Sequence, residues 1–146
     1  MLVLRARSVG RKMTGEKPHW IRCWVDGGVI GHNPSPRGVY WSVRVEGNGD
    51  RPVMVRKRTS AYRTNNCAEW LALREVLLWL NEKEVKQPAI IYSDSKLIVN
   101  QFNGRWACNF EHLIRFRDEC KALAARLKWV AVTWKARDTM VRKLGH

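Results

Sequence analysis

A short run of apolar and β-branched residues at positions 89–93 (AIIYS) limits the kind of sheet that this chain can form. The run lacks the polar alternation of a half-exposed strand, and this is typical of a central strand that is covered on both faces and paired in parallel. A long helical pattern at residues 67–82 comes directly before it. Because a parallel strand pair needs such a crossover, the sequence predicts an α/β fold.

Three more strand patterns precede the helix, at residues 21–26, 39–46 and 51–58. Short turns rich in Gly, Pro and Asn join them, which predicts an antiparallel meander. The rest of the chain predicts two helices, a fifth strand and one or two helical turns, at residues 95–104, 109–127, 129–134 and 135–146. A meander followed by alternating helices and strands predicts a mixed sheet with helices on its faces.

The composition indicates one domain with a polyanionic partner. The chain has 146 residues, of which 45% are hydrophobic, and a formal net charge of +14. Such an excess of positive charge is typical of nucleic-acid binding and, less often, of binding to an anionic membrane. A basic domain without such a partner is the alternative. We expect a folded domain at residues 21–146 and a basic arm at residues 1–20, which either contacts phosphates or is only a solvated tail.

The cysteines and the hydropathy pattern favour the cytoplasm. The four cysteines are scattered and lack the spacing of a zinc site, so we expect reduced thiols. No apolar run approaches the roughly 18 residues of a membrane span, and the basic N-terminus lacks the apolar segment of a signal peptide. A cytoplasmic location follows by default. We also expect a monomer that does not bind membranes.

Three acidic residues stand at the edges of predicted elements. Asp26 lies at the end of the first strand, Glu69 in the first turn of the helix and Asp94 directly after the apolar strand. If the first strand and the apolar strand are parallel neighbours, Asp26 and Asp94 project from one sheet edge, and the helix packs over it with Glu69. Like charges so close repel one another unless something neutralises them, and a hard divalent cation such as Mg²⁺ or Mn²⁺ would do so. Taken singly, each acid is equally compatible with an ordinary cap or turn.

Three motifs around these acids resemble the type 1 ribonuclease H family. Residues 25–28 (VDGG) and 31–38 (GHNPSPRG) resemble its first signature, residues 64–69 (TNNCAE) its second and residues 92–95 (YSDS) its third. A Gly-Arg-Trp run at residues 104–106 follows where the family often has a similar sequence. The resemblance covers roughly residues 21–134, in order and with ordinary spacing.

The resemblance implies a five-stranded mixed sheet in the order 3-2-1-4-5 with helices on both faces. It also implies a metal-dependent endonuclease that hydrolyses the RNA strand of RNA–DNA hybrids and leaves 5′-phosphates. Two Mg²⁺ ions, or Mn²⁺, would clamp the scissile phosphate. Asp26 would bridge both ions, and Glu69 and Asp94 would each hold one.

The resemblance also implies a substrate-binding set. Asn33, Asn65 and Asn66 match positions that contact the two strands in the minor groove, where the 2′-hydroxyl separates RNA from DNA. Thr64 matches a phosphate contact on the DNA strand. Arg105 and Trp106 are candidates for gripping the hybrid, although Trp106 is equally compatible with a core position.

The chain departs from the family where the fourth carboxylate is expected. The best alignment of the C-terminal segment puts Arg142 on that position, and Asp138 is the only acidic residue after Glu119. One hypothesis makes Asp138 the fourth catalytic and metal-binding carboxylate. The other leaves three carboxylates, with Arg142 or Lys135 on the substrate phosphate.

Three functions therefore compete. The first is a metal-dependent ribonuclease H. The second is a non-catalytic or weakly active hybrid-binding module of the same fold, which the missing fourth carboxylate favours. The third is a related DNA-processing nuclease, since a fold alone does not fix the substrate. The pair Asn65–Asn66 and the Asn33–Pro34 turn favour the ribonuclease over the third.

Overall fold

The structure is a computed structural model that describes residues 19–49 and 51–145. Residues 1–18 of the predicted basic arm lie outside this range. The strands are β1 (Ile21–Val29), β2 (Val39–Glu46), β3 (Val53–Thr59), β4 (Ala89–Ser93) and β5 (Val130–Trp134). The helices are α1 (Asn65–Glu82), α2 (Lys96–Phe102), α3 (Glu111–Ala125) and α4 (Arg137–Leu144).

The five strands form one mixed sheet in the order β3-β2-β1-β4-β5, as predicted. β1, β2 and β3 are an antiparallel meander, whereas β4 pairs in parallel with β1 on one side and with β5 on the other. The apolar run at residues 89–93 is therefore a strand with two parallel neighbours. The register of β1 and β4 pairs Val25 with Ser93. The residues that follow them, Asp26 and Asp94, therefore reach the same edge of the sheet.

One face of the sheet carries the main core. Alternate residues of β1, namely Ile21, Cys23 and Val25, are buried there together with the apolar side of α1, including Leu73 and Leu77. Burial of a large aliphatic side chain stabilises a fold by about 1.5–3 kcal/mol, so this contact fixes α1 over β1. The position of α1 in turn determines where Glu69 lies.

The opposite face carries a smaller cluster under the C-terminal helix. Trp24 of β1 packs with Met140 and Leu144 of α4 and with the partly buried Tyr92 of β4. Lys143 lies over the Trp24 ring, 4.3 Å from the ring centre. The predicted one or two helical turns of the tail are thus the two turns of α4, which covers this face. The packing of α4 places its first residues at the edge where Asp26 and Asp94 lie.

Most element boundaries agree with the prediction to within two residues, but β1 continues three residues beyond Asp26. Gly27 and Gly28 pair with Trp41 and Tyr40, so the glycines extend the strand instead of ending it. Within the described residues, no helix has the length and apolar character needed to cross a membrane. All four cysteines are free and buried.

Candidate active site

Asp26 lies inside β1 and is fully buried. The strand alternation puts it on the same face as Trp24, beneath the start of α4. A carboxylate buried in this way loses its hydration, so the fold must supply it with cations or hydrogen-bond donors. This requirement explains why the surroundings of Asp26 are polar.

Glu69 reaches Asp26 because α1 passes very close to β1. The backbone N–H of Gly27 donates a hydrogen bond to Oε1 of Glu69, with an N–O distance of 3.0 Å. A Cβ atom on Gly27 would lie 2.3 Å from the carbonyl oxygen of Ala68, so only glycine allows this approach. Thr64, and not an asparagine, caps the helix, since its hydroxyl accepts from the N–H of Cys67 at 3.2 Å.

Asp94 follows β4 and precedes the cap of α2. The Ser95 hydroxyl accepts from the N–H of Ile98 at 3.2 Å, so Ser95 is the capping residue and the Asp94 carboxylate remains available. The Trp134 indole donates to the Asp94 carbonyl at 3.2 Å and ties this turn to the end of β5. Only 9% of the Asp94 side chain is exposed.

The three acids that the sequence singles out meet at one point. One carboxylate oxygen from each of Asp26, Glu69 and Asp94 can be chosen so that all three lie within 4.8 Å of one another. A set of carboxylate oxygens is the donor type that Mg²⁺ and Mn²⁺ prefer. The chemistry of these donors therefore fits a divalent cation, held between β1, α1 and the end of β4.

Arg137, the first residue of α4, already brings a positive charge to this cluster. Its Nη1 atom donates to Oδ2 of Asp26 at 3.0 Å and to Oδ2 of Asp94 at 3.1 Å. The Arg137 side chain is 58% exposed, whereas the Asp26 side chain is 1% exposed. The guanidinium thus approaches two nearly buried carboxylates from the solvent side.

The electrostatics of the cluster show incomplete charge compensation. Burial and then the charge of Asp94 raise the pKa of Asp26 to about 7, although Arg137 opposes the shift. Burial, followed by the charges of Asp26 and Asp94, raises the pKa of Glu69 well above its ordinary value. The pKa of Arg137 is also raised, chiefly by its hydrogen bond to Asp94. One guanidinium does not fully offset three carboxylates, and a compact divalent ion would favour their ionised forms.

Asp138 is not brought together with the three acids. Its side chain is 75% exposed and pairs with Arg142 on the next turn of α4, with an N–O distance of 3.5 Å. Its Oδ1 accepts from the N–H of Thr139 at 3.0 Å. The role of Asp138 as a fourth ligand stays a prediction, and this geometry does not support it.

Three of the six predicted substrate-binding residues, Asn33, Thr64 and Asn66, line a surface groove of about 310 Å³. The Asn33 side chain accepts from the backbone N–H of Asn65 at 3.2 Å, which joins the loop after β1 to the start of α1. The groove is lined by Asn33, Pro34, Thr64, Asn66, Phe110, His112 and Leu113. Sequence reasoning missed Phe110 and His112. Phe110 is an apolar residue at the start of the predicted helix 109–127; the structure begins this helix at Glu111 and leaves Phe110 66% exposed.

Arg105 and Trp106 lie in the turn after α2. The Arg105 guanidinium donates to the Asn100 side chain at 2.8 Å and lines a second groove with Lys96 and Trp134. Trp106 is 48% exposed and therefore is not a core residue. Both side chains are accessible to a ligand.

Arg137 is the main site residue that the sequence did not reveal. The sequence indicates Arg137 only through its position, three residues after the last strand pattern and next to Asp138. The C-terminal sequence pointed to Arg142 or Lys135, and not to Arg137, as the cation of the site. Lys135 instead lies over the ring of Tyr92, 5.1 Å from its centre.

A mixed sheet of this order, with carboxylates from β1, α1 and the end of β4 at one edge, defines a ribonuclease H-like protein. The chain belongs to the reverse transcriptase-like family, whose model matches residues 25–141. The match confirms the resemblance to ribonuclease H that the three motifs carry.

Curated relatives and solved structures agree with this assignment. The bifunctional protein Rv2228c of Mycobacterium tuberculosis and the uncharacterized protein Mb2253c of Mycobacterium bovis are each 30% identical to the chain over 125 residues. Each match covers 83% of this chain, and the chain spans only 33% of the length of either relative.

Two solved structures illustrate the shared fold. The N-terminal RNase H domain of Rv2228c, fused to maltose binding protein, has a TM-score of 0.74 at 24% identity, covering 86% of this chain and 96% of that one. RNase H1 from Halobacterium salinarum has a TM-score of 0.75 at 22% identity, covering 86% and 92%.

A third structure was solved with a ligand. LC11-RNase H1 in complex with RNA/DNA hybrid has a TM-score of 0.73 at 22% identity, covering 84% of this chain and 90% of that one.

Proposed function

We propose that this protein is a metal-dependent endonuclease that hydrolyses the RNA strand of RNA–DNA hybrids. The observation that carries the proposal is the meeting of Asp26, Glu69 and Asp94 within 4.8 Å at the edge of a ribonuclease H-like sheet. The net charge of +14 suits a nucleic-acid substrate. LC11-RNase H1, which has a similar fold, was solved in complex with RNA/DNA hybrid, and this supports the choice of substrate.

In this proposal the three carboxylates hold two Mg²⁺ ions, or Mn²⁺. When bound, such ions activate a water molecule and stabilise the charge on the scissile phosphate. Asp26 and Asp94 are nearly buried, so their oxygens are held in place before substrate arrives. Glu69 is oriented by the Gly27 N–H and faces the same point.

The residues around the 310 Å³ groove hold and orient the hybrid. Asn33, Asn65 and Asn66 offer amide groups to the minor groove, where a 2′-hydroxyl distinguishes the RNA strand. Thr64 caps the helix and lines the groove, and in this proposal it contacts a phosphate of the DNA strand. Arg105 and Trp106 extend the binding surface beyond α2.

A non-catalytic hybrid-binding module is the second candidate. Two observations favour it: Asp138 lies outside the carboxylate cluster, and Arg137 places a cation between Asp26 and Asp94. In this alternative the fold binds the hybrid without turning it over. A monomeric state and a cytoplasmic location stay predictions.

One assay separates the candidates. Labelled RNA–DNA hybrid, double-stranded RNA and double-stranded DNA are incubated with wild type and Asp94→Asn in Mg²⁺ or Mn²⁺. Cleavage of the hybrid that leaves 5′-phosphates and is lost in the variant supports the ribonuclease. Binding of the hybrid without cleavage in either metal supports the module, and cleavage of duplex DNA alone indicates a DNA-processing nuclease.

A further inference from the structure

The position of Arg137 makes it a competitor for the proposed metal ligands. A single atom, Nη1, donates to the carboxylates of both Asp26 and Asp94, at 3.0 and 3.1 Å. Arg137 thus bridges the two acids as a small cation would. It lies 111 positions from Asp26 and 43 positions from Asp94 in the chain.

The carboxylates leave little room for a second approach. The Asp26 side chain is 1% exposed and that of Asp94 is 9% exposed, whereas the Arg137 side chain that contacts both is 58% exposed. Mg²⁺ binds oxygen at about 2.0–2.1 Å. An ion bridging Asp26 and Asp94 would therefore take the space of Nη1, and its charge would repel the guanidinium.

We infer that Arg137 is a tethered cation that neutralises Asp26 and Asp94 in the metal-free protein and that a divalent metal ion must displace before it binds. This inference rests on the proposed metal-dependent function. Arg137 therefore acts against metal binding. It lowers the affinity of the carboxylates for metal and stabilises them when no metal is bound.

The structure allows Arg137 to leave without unfolding α4. The helix is held by the buried side chains of Met140 and Leu144, which pack on Trp24. The Arg137 side chain, by contrast, is 58% exposed and long enough to turn towards solvent. A divalent ion can replace the guanidinium, because three carboxylates attract a compact charge of +2 more strongly than the delocalised charge of +1 on Arg137.

Direct metal binding tests the inference. We would titrate Mn²⁺ into wild type, Arg137→Ala, Arg137→Gln and Arg142→Ala by isothermal calorimetry. Arg142→Ala is the matched control, since it removes one positive charge from the same helix but from an exposed pair with Asp138. Arg137→Gln keeps a polar side chain without the charge, in case the alanine variant folds poorly.

We expect both Arg137 variants to bind Mn²⁺ about tenfold more tightly than wild type, equivalent to about 1.4 kcal/mol. Without metal, their melting temperatures should fall, because Asp26 and Asp94 lose their counter-ion. Added Mn²⁺ should then raise their melting temperatures by more than it raises that of wild type. Arg142→Ala should stay within about twofold of the wild-type affinity, as expected for an exposed pair.

Equal or weaker Mn²⁺ binding by the Arg137 variants would overturn the inference, as would an equal gain in Arg142→Ala. In that case cleavage of the hybrid by wild type would leave the proposed function intact. If none of the proteins bound Mn²⁺, the inference and the proposed metal site would fail together.

Discussion

The backbone N–H of Gly27 donates to the Glu69 carboxylate at 3.0 Å, and this hydrogen bond joins the strand that carries Asp26 to the helix that carries Glu69. The bond forms only because Gly27 has no side chain between β1 and α1. The distance between Asp26 and Glu69 thus depends on Gly27. As a result, the stability of the contact between β1 and α1 is coupled to the geometry of the site.

Replacing Gly27 by alanine should test this coupling. The added Cβ would lie 2.3 Å from the Ala68 carbonyl oxygen, which is backbone and cannot rotate away. We expect α1 to shift and the free energy of unfolding to fall by about 3 kcal/mol, the upper part of the usual cost of overpacking. Urea denaturation measures this loss.

Gly31→Ala is the control for Gly27→Ala. Its φ of +94° makes alanine strained, but no atom lies within 4 Å of the added Cβ. The expected loss is therefore smaller, about 1 kcal/mol. Equal losses in the two variants would show that the close approach of α1 is not what requires glycine at position 27.

The buried Asp26 should make the metal-free protein less stable as the pH rises. The pKa of Asp26 is about 7 in the folded state, whereas the pKa of an aspartate in an unfolded chain is about 4. Below about pH 4 both states hold the proton and Asp26 has no effect. Between about pH 4 and 7 the unfolded chain ionises first, so the folded state loses stability, and above about pH 7 the loss is complete.

Asp26→Asn removes this titration. In EDTA, the free energy of unfolding of Asp26→Asn minus that of wild type should rise by an amount on the order of 2–4 kcal/mol between about pH 4 and 7. Above about pH 7 this difference should stay constant. Urea denaturation across this pH range provides the measurement. A difference that does not change with pH would contradict the raised pKa.

The orientation of Asp138 predicts that it contributes little to catalysis. Asp138→Asn should leave the rate of hybrid cleavage and the Mn²⁺ affinity within about twofold of wild type, because its exposed side chain pairs with Arg142. Asp94→Asn should lower the rate by at least about a hundredfold, since it removes an acid of the cluster. Single-turnover cleavage of labelled hybrid compares the two. A large loss in Asp138→Asn would restore it as the fourth ligand.

The different outcomes for Asp138 and the first three acids have a physical cause. Strand pairing and the hydrophobic pattern decide where Asp26, Glu69 and Asp94 lie, and both can be inferred from the sequence. By contrast, the direction of a side chain on α4 depends on the residue at which the helix begins. Successive helical residues project about 100° apart, so a helix that turns Arg137 towards the cluster turns Asp138 away from it. No local pattern in residues 135–146 reveals this choice.

The sequence likewise predicts only part of the lining of the 310 Å³ groove. The motifs predicted Asn33, Thr64 and Asn66, but Phe110 reaches the same groove from the start of α3, more than forty residues away in the chain. Its place depends on how α3 packs against α1, through contacts such as the ion pair between Arg74 and Glu119 at 2.9 Å. Such long-range packing is not encoded in a short motif.

Phe110 should therefore contribute to hybrid binding. Its ring is 66% exposed beside Asn33 and Asn66, where it can pack on sugars or bases of a bound strand. In an Asp94→Asn background, which prevents cleavage, we expect Phe110→Ala to weaken hybrid binding about fivefold, equivalent to about 1 kcal/mol. Val141→Ala is the matched control, since Val141 is an exposed apolar residue on α4 at 43% exposure. Fluorescence anisotropy with labelled hybrid measures both affinities. An equal effect of the two substitutions would show that the groove beside α1 does not hold the hybrid.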